Sequence, residues 1–325
     1  MSGTLLVTTV KNEGPNILEW VAYHRVIGFD RILVFQNDST DETQKSLRTL
    51  ARIGAIDYFR NDSASRQWQN KAYRRASQSE AYAAADWCMA LDGDEFLNIK
   101  VGDGTVRALI GATREPDEIL VNWRNFSHSG QTRLTDGLVL ERFLLADPAD
   151  RIVDAHLHGV KALFKTSSYR RPGIHRAKVP LIGPRRIVNG SGLTEDQFYR
   201  KGWRTKDPKC RALAQVNHYP TRDLESFLLK TVRGSSSHPD RTISRKYWSF
   251  FNYAEEKDTS VARYLPALRD EMARLDKASH GRLEHLRGRS LAIWRDRLAQ
   301  LRNDAEIQAL EAELRATMDR SLDAA

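Results

Sequence analysis

Within the first hundred residues, four short apolar runs alternate with three stretches of helical periodicity, and few chain architectures accommodate that alternation. The runs Thr4–Val10, Arg31–Phe35, Ala55–Phe59 and Trp87–Leu91 are rich in apolar and β-branched residues, as strands buried on both faces are. Between them, Pro15–Ile27 places proline in a first helical turn, sets Ile17, Leu18, Val21, Ala22, Arg25 and Val26 on one face, and stops at Gly28. Asp41–Ile53 follows the cap-forming Ser39-Thr40 and ends at Gly54, and Gln67–Ala85 offers Tyr73, Ala76 and Ala84 for packing. This order predicts an α/β fold with a Rossmann-like wound, mainly parallel sheet and right-handed crossovers. Ligands of such sheets bind beyond the carboxyl ends of the strands.

Past Gly102 the pattern becomes mixed. Glu118–Trp123, Leu138–Leu145 and Val160–Lys165 read as strands separated by long polar loops, the kind of section that builds substrate sites. From Asp223 the reading is helical, over Asp223–Arg233, Arg245–Glu256, Val261–Lys277 and Leu283–Leu322 with a break near Asn303. With 325 residues the chain suits one large α/β domain plus an appendage.

No window approaches the roughly 18 apolar residues of a membrane span, and the N-terminus enters a strand pattern without a basic leader. The expected location is the cytoplasm. The amphipathic segment Arg282–Leu322 is expected to pack on its own domain or a partner subunit, with peripheral contact at the inner membrane face as the sharper alternative. Two cysteines, Cys88 and Cys210, make neither a disulfide framework nor a cysteine zinc site. The net charge of +9 favours polyanionic ligands, but no nucleic-acid motif is present and aromatic residues do not interleave with a basic stripe, so no nucleic-acid partner is expected.

The chemistry gathers at strand ends. In WCMALDGDEFLNI, Asp92, Asp94 and Glu95 crowd behind an apolar run, a costly arrangement without a compensating cation. Gly93 lets the backbone bend so that both aspartates can turn toward one Mg²⁺ or Mn²⁺, whose usual partner is a phosphate group. A solvated acidic turn is the plain alternative. The later ligands of an EF-hand are absent. Lys11-Asn12-Glu13-Gly14 follows the first strand, and Gln36-Asn37-Asp38-Ser39-Thr40-Asp41 the second. Ser39, Thr40 and Asp41 suit helix capping at least as well as ligand contact, whereas Glu13 and Asp38 lie where a nucleoside's ribose or base would need acceptors.

VTTVKNEGPNILEWVAYHRVIGFDRILVFQNDSTDET, followed by MALDGDEF, resembles the glycosyltransferases of GT-A fold, most closely the bacterial family-2-like enzymes that are also similar to family 92. NWRNFSHSG, GLVLERF, the Lys161–His175 segment and NHYPTRDLESFLLKTVRG extend the resemblance. It implies a GT-A-like catalytic domain over residues 1–235 with a C-terminal helical extension over 236–325. It also implies transfer of a sugar from a nucleotide-sugar, a UDP-sugar first, to an acceptor hydroxyl, inverting and dependent on Mn²⁺ or Mg²⁺. Asn12, Glu13 and Asp38 would serve the nucleoside, and Asp92 with Asp94 the metal and sugar. His175 and His218 fall in segments like the family's late histidine motifs and would complete the metal shell or contact the diphosphate; a structural histidine is the plain alternative for each. Lys230 and Arg233, three apart on a helix, could clasp phosphate, as could Lys71, or each could sit on a solvated basic face.

The general base of an inverting transfer is a carboxylate. Asp196, in the acid pair Glu195-Asp196, is the leading candidate; Glu141 and Glu95 compete. On the acceptor side, Trp123, Phe126 and His128 offer a sugar-stacking platform or ordinary core packing. The basic stretch Arg170–Arg186 favours an anionic saccharide or glycolipid acceptor, as in cell-surface polysaccharide synthesis, unless it is only a solvated loop. Two other classes stay open: a nucleotidyltransferase making activated sugars, for which KNEGPN is a poor phosphate loop, and a non-enzymatic polyanion-binding protein.

Overall fold

The computed structural model describes residues 3–61, 67–148, 159–181, 183–198, 200–205, 210–233, 245–252 and 256–322, with side chains as far as 318 and without that of 233. The N-terminal winding runs β1 (Thr4–Val10), α1 (Ile17–Val26), β2 (Arg31–Gln36), α2 (Thr43–Arg52), β3 (Asp57–Arg60), α3 (Trp68–Ala76), α4 (Glu80–Ala83), β4 (Trp87–Ala90), β5 (Glu95–Ile99) and α5 (Val106–Ala112). The middle holds β6 (Glu118–Asn125), α6 (Val139–Arg142), β7 (Leu145–Ala146), β8 (Val160–Lys165), β9 (Tyr169–Arg171), β10 (Lys178–Pro180), β11 (Ile187–Asn189), β12 (Arg200–Lys201), β13 (Arg204–Thr205) and β14 (Ala214–His218). The chain then continues through α7 (Leu224–Arg233), α8 (Arg245–Phe251), β15 (Glu256–Lys257), a 3-10 turn (Ser260–Tyr264), α9 (Leu265–Ala278), α10 (Arg282–Leu301) and α11 (Ala305–Leu322).

The main sheet has the order β3-β2-β1-β4-β8-β6-β14-β5, with β11 alongside β6. Its first four strands are parallel, the wound arrangement expected from the alternation; β8 then runs antiparallel to β4 and β6, and β5 antiparallel to β14. Alternation along β1 sorts the two faces: Leu6 and Val10 pack with α1, while Leu5 and Val7 pack with α3. Both faces are therefore covered, and α1 is buried from Ile17 through His24 rather than along one stripe. Each large apolar side chain so enclosed contributes about 1.5–3 kcal/mol.

Three local expectations change. The Leu138–Leu145 segment forms the helical turn α6 before it enters β7, because the buried Glu19 carboxylate of α1 accepts from Val139 N at 2.8 Å and Leu140 N at 3.0 Å. Those are N–H groups that a helix start leaves without partners, and a contact over 120 residues is invisible to local periodicity. The stretch Gln67–Ala85 divides into α3 and α4, where extended Ser79 accepts from Tyr82 N and caps the second helix. The helix expected over Arg245–Glu256 ends at Phe251; Glu256 instead pairs with Ala146, and 253–255 fall outside the described residues.

The C-terminal helices lie against the wound layers. Leu268 and Leu275 of α9 join the apolar cluster that holds Trp20 and Tyr23 of α1, and α10 runs along α2 and α7. Leu314 and Met318 of α11 pack with Leu228 of α7 and Trp248 of α8. Among the described residues, no helix is long and apolar enough to cross a membrane. Cys88 and Cys210 are both buried, and no disulfide joins them.

Candidate functional site

The strand-end acids occupy different environments. Asp92, where β4 ends, is held from both sides: Oδ1 accepts from Gln69 Nε2 at 2.6 Å and Oδ2 from Lys161 Nζ at 2.8 Å. Lys161 comes from β8, is fully buried, and also lies 3.1 Å from Glu95 Oε2. Burial would strip its proton, but Asp92 and Glu95 more than offset this and keep it charged. Glu95 is the group that resists ionisation: burial pushes its carboxyl up to about 8, Lys161 opposes this, and the Asp92 and Asp94 charges add to it.

Asp94 faces outward. Its Oδ2 accepts from Lys230 Nζ of α7 at 3.0 Å, while Lys230 also donates to Pro220 O at 2.6 Å. Burial alone would raise its carboxyl, yet the charges of Lys230 and Arg222 hold it well below the usual carboxylate range. Arg222 spans the loops, donating to Glu13 Oε2 at 3.0 Å and to Gly93 O at 3.3 Å. Gly93 allows this closeness, since a Cβ there would stand 3.3 Å from Glu13 and Val10 side-chain atoms.

The first two strand-end loops are tied together. Asn12 N donates to Ser39 Oγ at 3.0 Å, and Asn12 Oδ1 accepts from Thr40 N at 2.7 Å. Asn12, Asp38 and Arg222 adopt positive φ values of 53°, 34° and 56°. Asn and Asp tolerate this left-handed region better than most residues, while Arg222 does so against its preference. Asp41 is the joint of the assembly. One oxygen accepts from Thr43 N at 2.9 Å; the other takes Gly14 N at 3.1 Å and Trp294 Nε1 of α10 at 3.0 Å. Arg297 of α10 donates to Thr40 O at 3.0 Å. So close is the fit that a Cβ on Gly14 would fall 2.2 Å from Ser290 Oγ.

These groups enclose a cavity of about 490 Å³, a size that suits a small-molecule site. Asn12, Glu13, Asp94 and Lys230, all singled out from the sequence, line it together with Lys11 and Arg222. Asp38, Lys71 and Asp92 are not among its lining residues; Asp38 and Lys71 are exposed beside it in sequence, and the Arg233 side chain lies outside the described residues. Lys161, Arg222 and Trp294 carry no local signal as site residues, since each acquires its role through a partner far along the chain.

The remaining candidates separate. His218 is buried, its ring stacked on Trp123 at 4.6 Å and its Nδ1 2.9 Å from Asn125 Oδ1; burial lowers it to about 4 and keeps it neutral. His175 is likewise lowered by burial to about 3 and stacks on Trp203 at 4.2 Å, in a second cavity of about 770 Å³. Glu141 pairs with Arg269 on the outer side of α6. Asp196 stands on an exposed turn, bonded by Thr194 Oγ1, with Glu195 beside it lining the second cavity. Trp123, Phe126 and His128 are buried in packing and form no open platform.

For a divalent cation the chain offers Asp94 and neighbouring His218. With Nδ1–H donating to Asn125, His218 Nε2 keeps the lone pair that a ligand needs. Among the described residues no three His, Cys, Asp or Glu side chains converge. Of the two, Asp94 lines the cavity and His218 does not.

A family model described as glycosyltransferase family 92 matches residues 9–177, from the end of β1 to the β9–β10 connection. No curated protein matches the sequence. Among solved structures, S. aureus TarS 1-349 in complex with UDP overlaps 93% of this chain and 91% of its own at 11% identity and a TM-score of 0.35. The same protein in complex with UDP-GlcNAc overlaps 93% and 92% at 12% identity and a TM-score of 0.33. HddC from Yersinia pseudotuberculosis overlaps 51% of this chain and 78% of its own at 11% identity and a TM-score of 0.30.

Proposed function

The chain belongs to glycosyltransferase family 92, and from that premise we propose that it moves a sugar from a nucleotide-sugar donor to an acceptor hydroxyl with inversion, UDP-sugars being the donors to test first. The observation that carries the placement is the Asp94–Lys230 pair, 3.0 Å apart on the wall of a cavity into which Asn12 and Glu13 also open. Lys230, Lys11 and Arg222 bring positive charge to the donor's diphosphate, and Glu13 and Asn12 offer acceptors to its nucleoside. Lys161 holds Asp92, and through it the turn that presents Asp94. Asp94 and His218 would hold Mn²⁺ or Mg²⁺, which when bound supplies Lewis-acid stabilisation of the leaving diphosphate.

In the transfer, the acceptor oxygen forms a bond to the anomeric carbon as the bond from that carbon to the diphosphate oxygen breaks. The bonding electron pair leaves with the diphosphate. The acceptor's proton passes to a carboxylate of the Glu195-Asp196 pair, of which Glu195 lines the second cavity. Glu95, sealed in the core, is left to a positioning role. The setting we favour is cell-surface polysaccharide or glycolipid synthesis on the cytoplasmic side.

Calorimetric titration with UDP, GDP, CMP and their sugar conjugates, with and without Mn²⁺, tests this on wild type and Asp94→Ala. Binding of one nucleotide that is lost in the variant is expected. A folded protein that binds none of them would remove the donor assignment.

A further inference from the structure

The second cavity shares none of its lining residues with the first. Asn70 of α3 lines one end of it, next to the Gln69 that holds Asp92 Oδ1. A run of ring contacts leads from its lining to the end of β14: Trp203 stacks on His175 at 4.2 Å, His175 meets Trp123 edge-on at 5.3 Å, and Trp123 stacks on His218 at 4.6 Å. A second cleft that shares no lining with the donor cavity offers the acceptor an entrance of its own.

The walls of this cavity are basic and fixed. The β9–β10 hairpin is clamped from behind by Glu118, a fully buried carboxylate that accepts from Arg176 Nη2 at 2.5 Å, Ala177 N at 3.2 Å and Tyr169 Oη at 3.0 Å. Arg176 is thereby neutralised, as Arg200 is by Glu195. Two cations on the lining have no carboxylate in ion-pair contact among the described residues: Lys178 on β10, and Arg185, which donates to the carbonyls of Leu181 and Gly183 and lies over the Tyr169 ring at 5.8 Å. Arg186, equally basic in the sequence, is turned away onto Thr113 O and has no part in the lining. Held by main-chain bonds and a ring, Arg185 loses little freedom on meeting an anion.

We propose that this cleft takes the acceptor, and that the acceptor is an anionic saccharide whose phosphate or carboxylate is held by Lys178 and Arg185 while a hydroxyl on the sugar reacts. The anionic group itself is unchanged by the transfer. This rests on the glycosyltransferase reading for the role of the cleft, though not for its affinity for anionic saccharides. A volume of about 770 Å³ accommodates a sugar unit of a longer chain together with its charged substituent.

Glucose, glucose 6-phosphate and glucuronate serve as probes for direct binding, and the matching methyl glycosides as acceptors once a donor is in hand. Both charged probes are expected to bind roughly tenfold more tightly than glucose at low salt, with the gap closing at high salt. A difference between phosphate and carboxylate arms identifies the natural substituent. The Lys178→Ala/Arg185→Ala variant should raise KM for charged acceptors about tenfold, leaving donor affinity, donor hydrolysis and the KM of the neutral acceptor unchanged. Equal binding of charged and neutral probes, or a double variant indistinguishable from wild type, overturns the proposal. Charged-probe binding that the double variant loses, in a protein that binds no nucleotide, sustains the cleft assignment while the donor reading falls.

Discussion

The ammonium of Lys161 lies 2.8 Å from Asp92 Oδ2 with its side chain wholly closed to solvent. An Asp-x-Asp sequence suggests two equivalent ligands, but the fold uses its first aspartate to seat a buried cation and turns the second toward the cavity. Replacing Lys161 by Met takes the cation from part-exposed Asp92 and leaves the buried Glu95 carboxyl without its ion-pair partner, at a cost of about 1–3 kcal/mol. Urea unfolding should show the loss, and Glu95→Gln added to Lys161→Met should recover part of it. A Lys161→Met protein as stable as wild type would refute the pairing.

Glu19 gives the molecule a pH-dependent joint. Burial raises its carboxyl from 4.5 to about 7, against the pull of the Leu140 and Val139 N–H groups. Because the folded protein holds this proton more tightly than the unfolded chain, the contribution is complete below about pH 4.5. It is lost as pH rises through 7, by roughly 3 kcal/mol in all. Glu19→Gln should therefore flatten the decline in unfolding free energy between pH 5 and 8, and an unchanged slope in the variant would count against this assignment.

Asp94 behaves oppositely. Its carboxyl is held low by Lys230 and Arg222 against the effect of burial, so it is ionised near neutrality and contributes no titration to donor binding there. Lys230→Ala should weaken donor affinity about 10- to 100-fold, the scale of a lost charge-assisted contact of roughly 1.5–3 kcal/mol. Calorimetry reads this directly; an unaltered dissociation constant would place the diphosphate elsewhere.

Trp294 and Ser290 link α10 to the donor loops. Trp294→Phe removes the bond to Asp41 while keeping most of the ring's packing, and should cost about 1 kcal/mol of stability and severalfold in donor affinity. Gly14→Ala drives a methyl against Ser290 and should cost about 1–3 kcal/mol, with partial rescue by Ser290→Gly. Thermal melts of the two single variants and the double variant supply the comparison; additive losses would deny the contact.

The wound half of the fold was legible because its information is local. Strand runs, glycine stops at Gly28 and Gly54, and acids at strand ends are each encoded within a few residues, and the wound, parallel character of β1 to β4 follows from them. Asn12, Glu13 and Asp94 meet in one cavity because strand ends converge there, and Lys230 reaches it from α7. What could not be read depends on distance along the chain: Lys161 reaches back 69 residues to Asp92, Arg222 reaches 209 to Glu13, and Trp294 reaches 253 to Asp41. The same is true of α6, whose helical form is imposed by Glu19, and of Trp123 and His128, whose aromatic character gives no hint that neighbours cover them.

The contact of Trp294 with Asp41 also sets an order of events during synthesis. A ribosome that has released every strand of the main sheet has still not made α10, so the loops at Gly14 and Asp41 must wait for a segment translated long after them. Closing so distant a contact is slow relative to local structure. A nascent chain could thus be largely folded and yet unable to grip a nucleotide, so donor capture would mark the finished polypeptide rather than the first folded one.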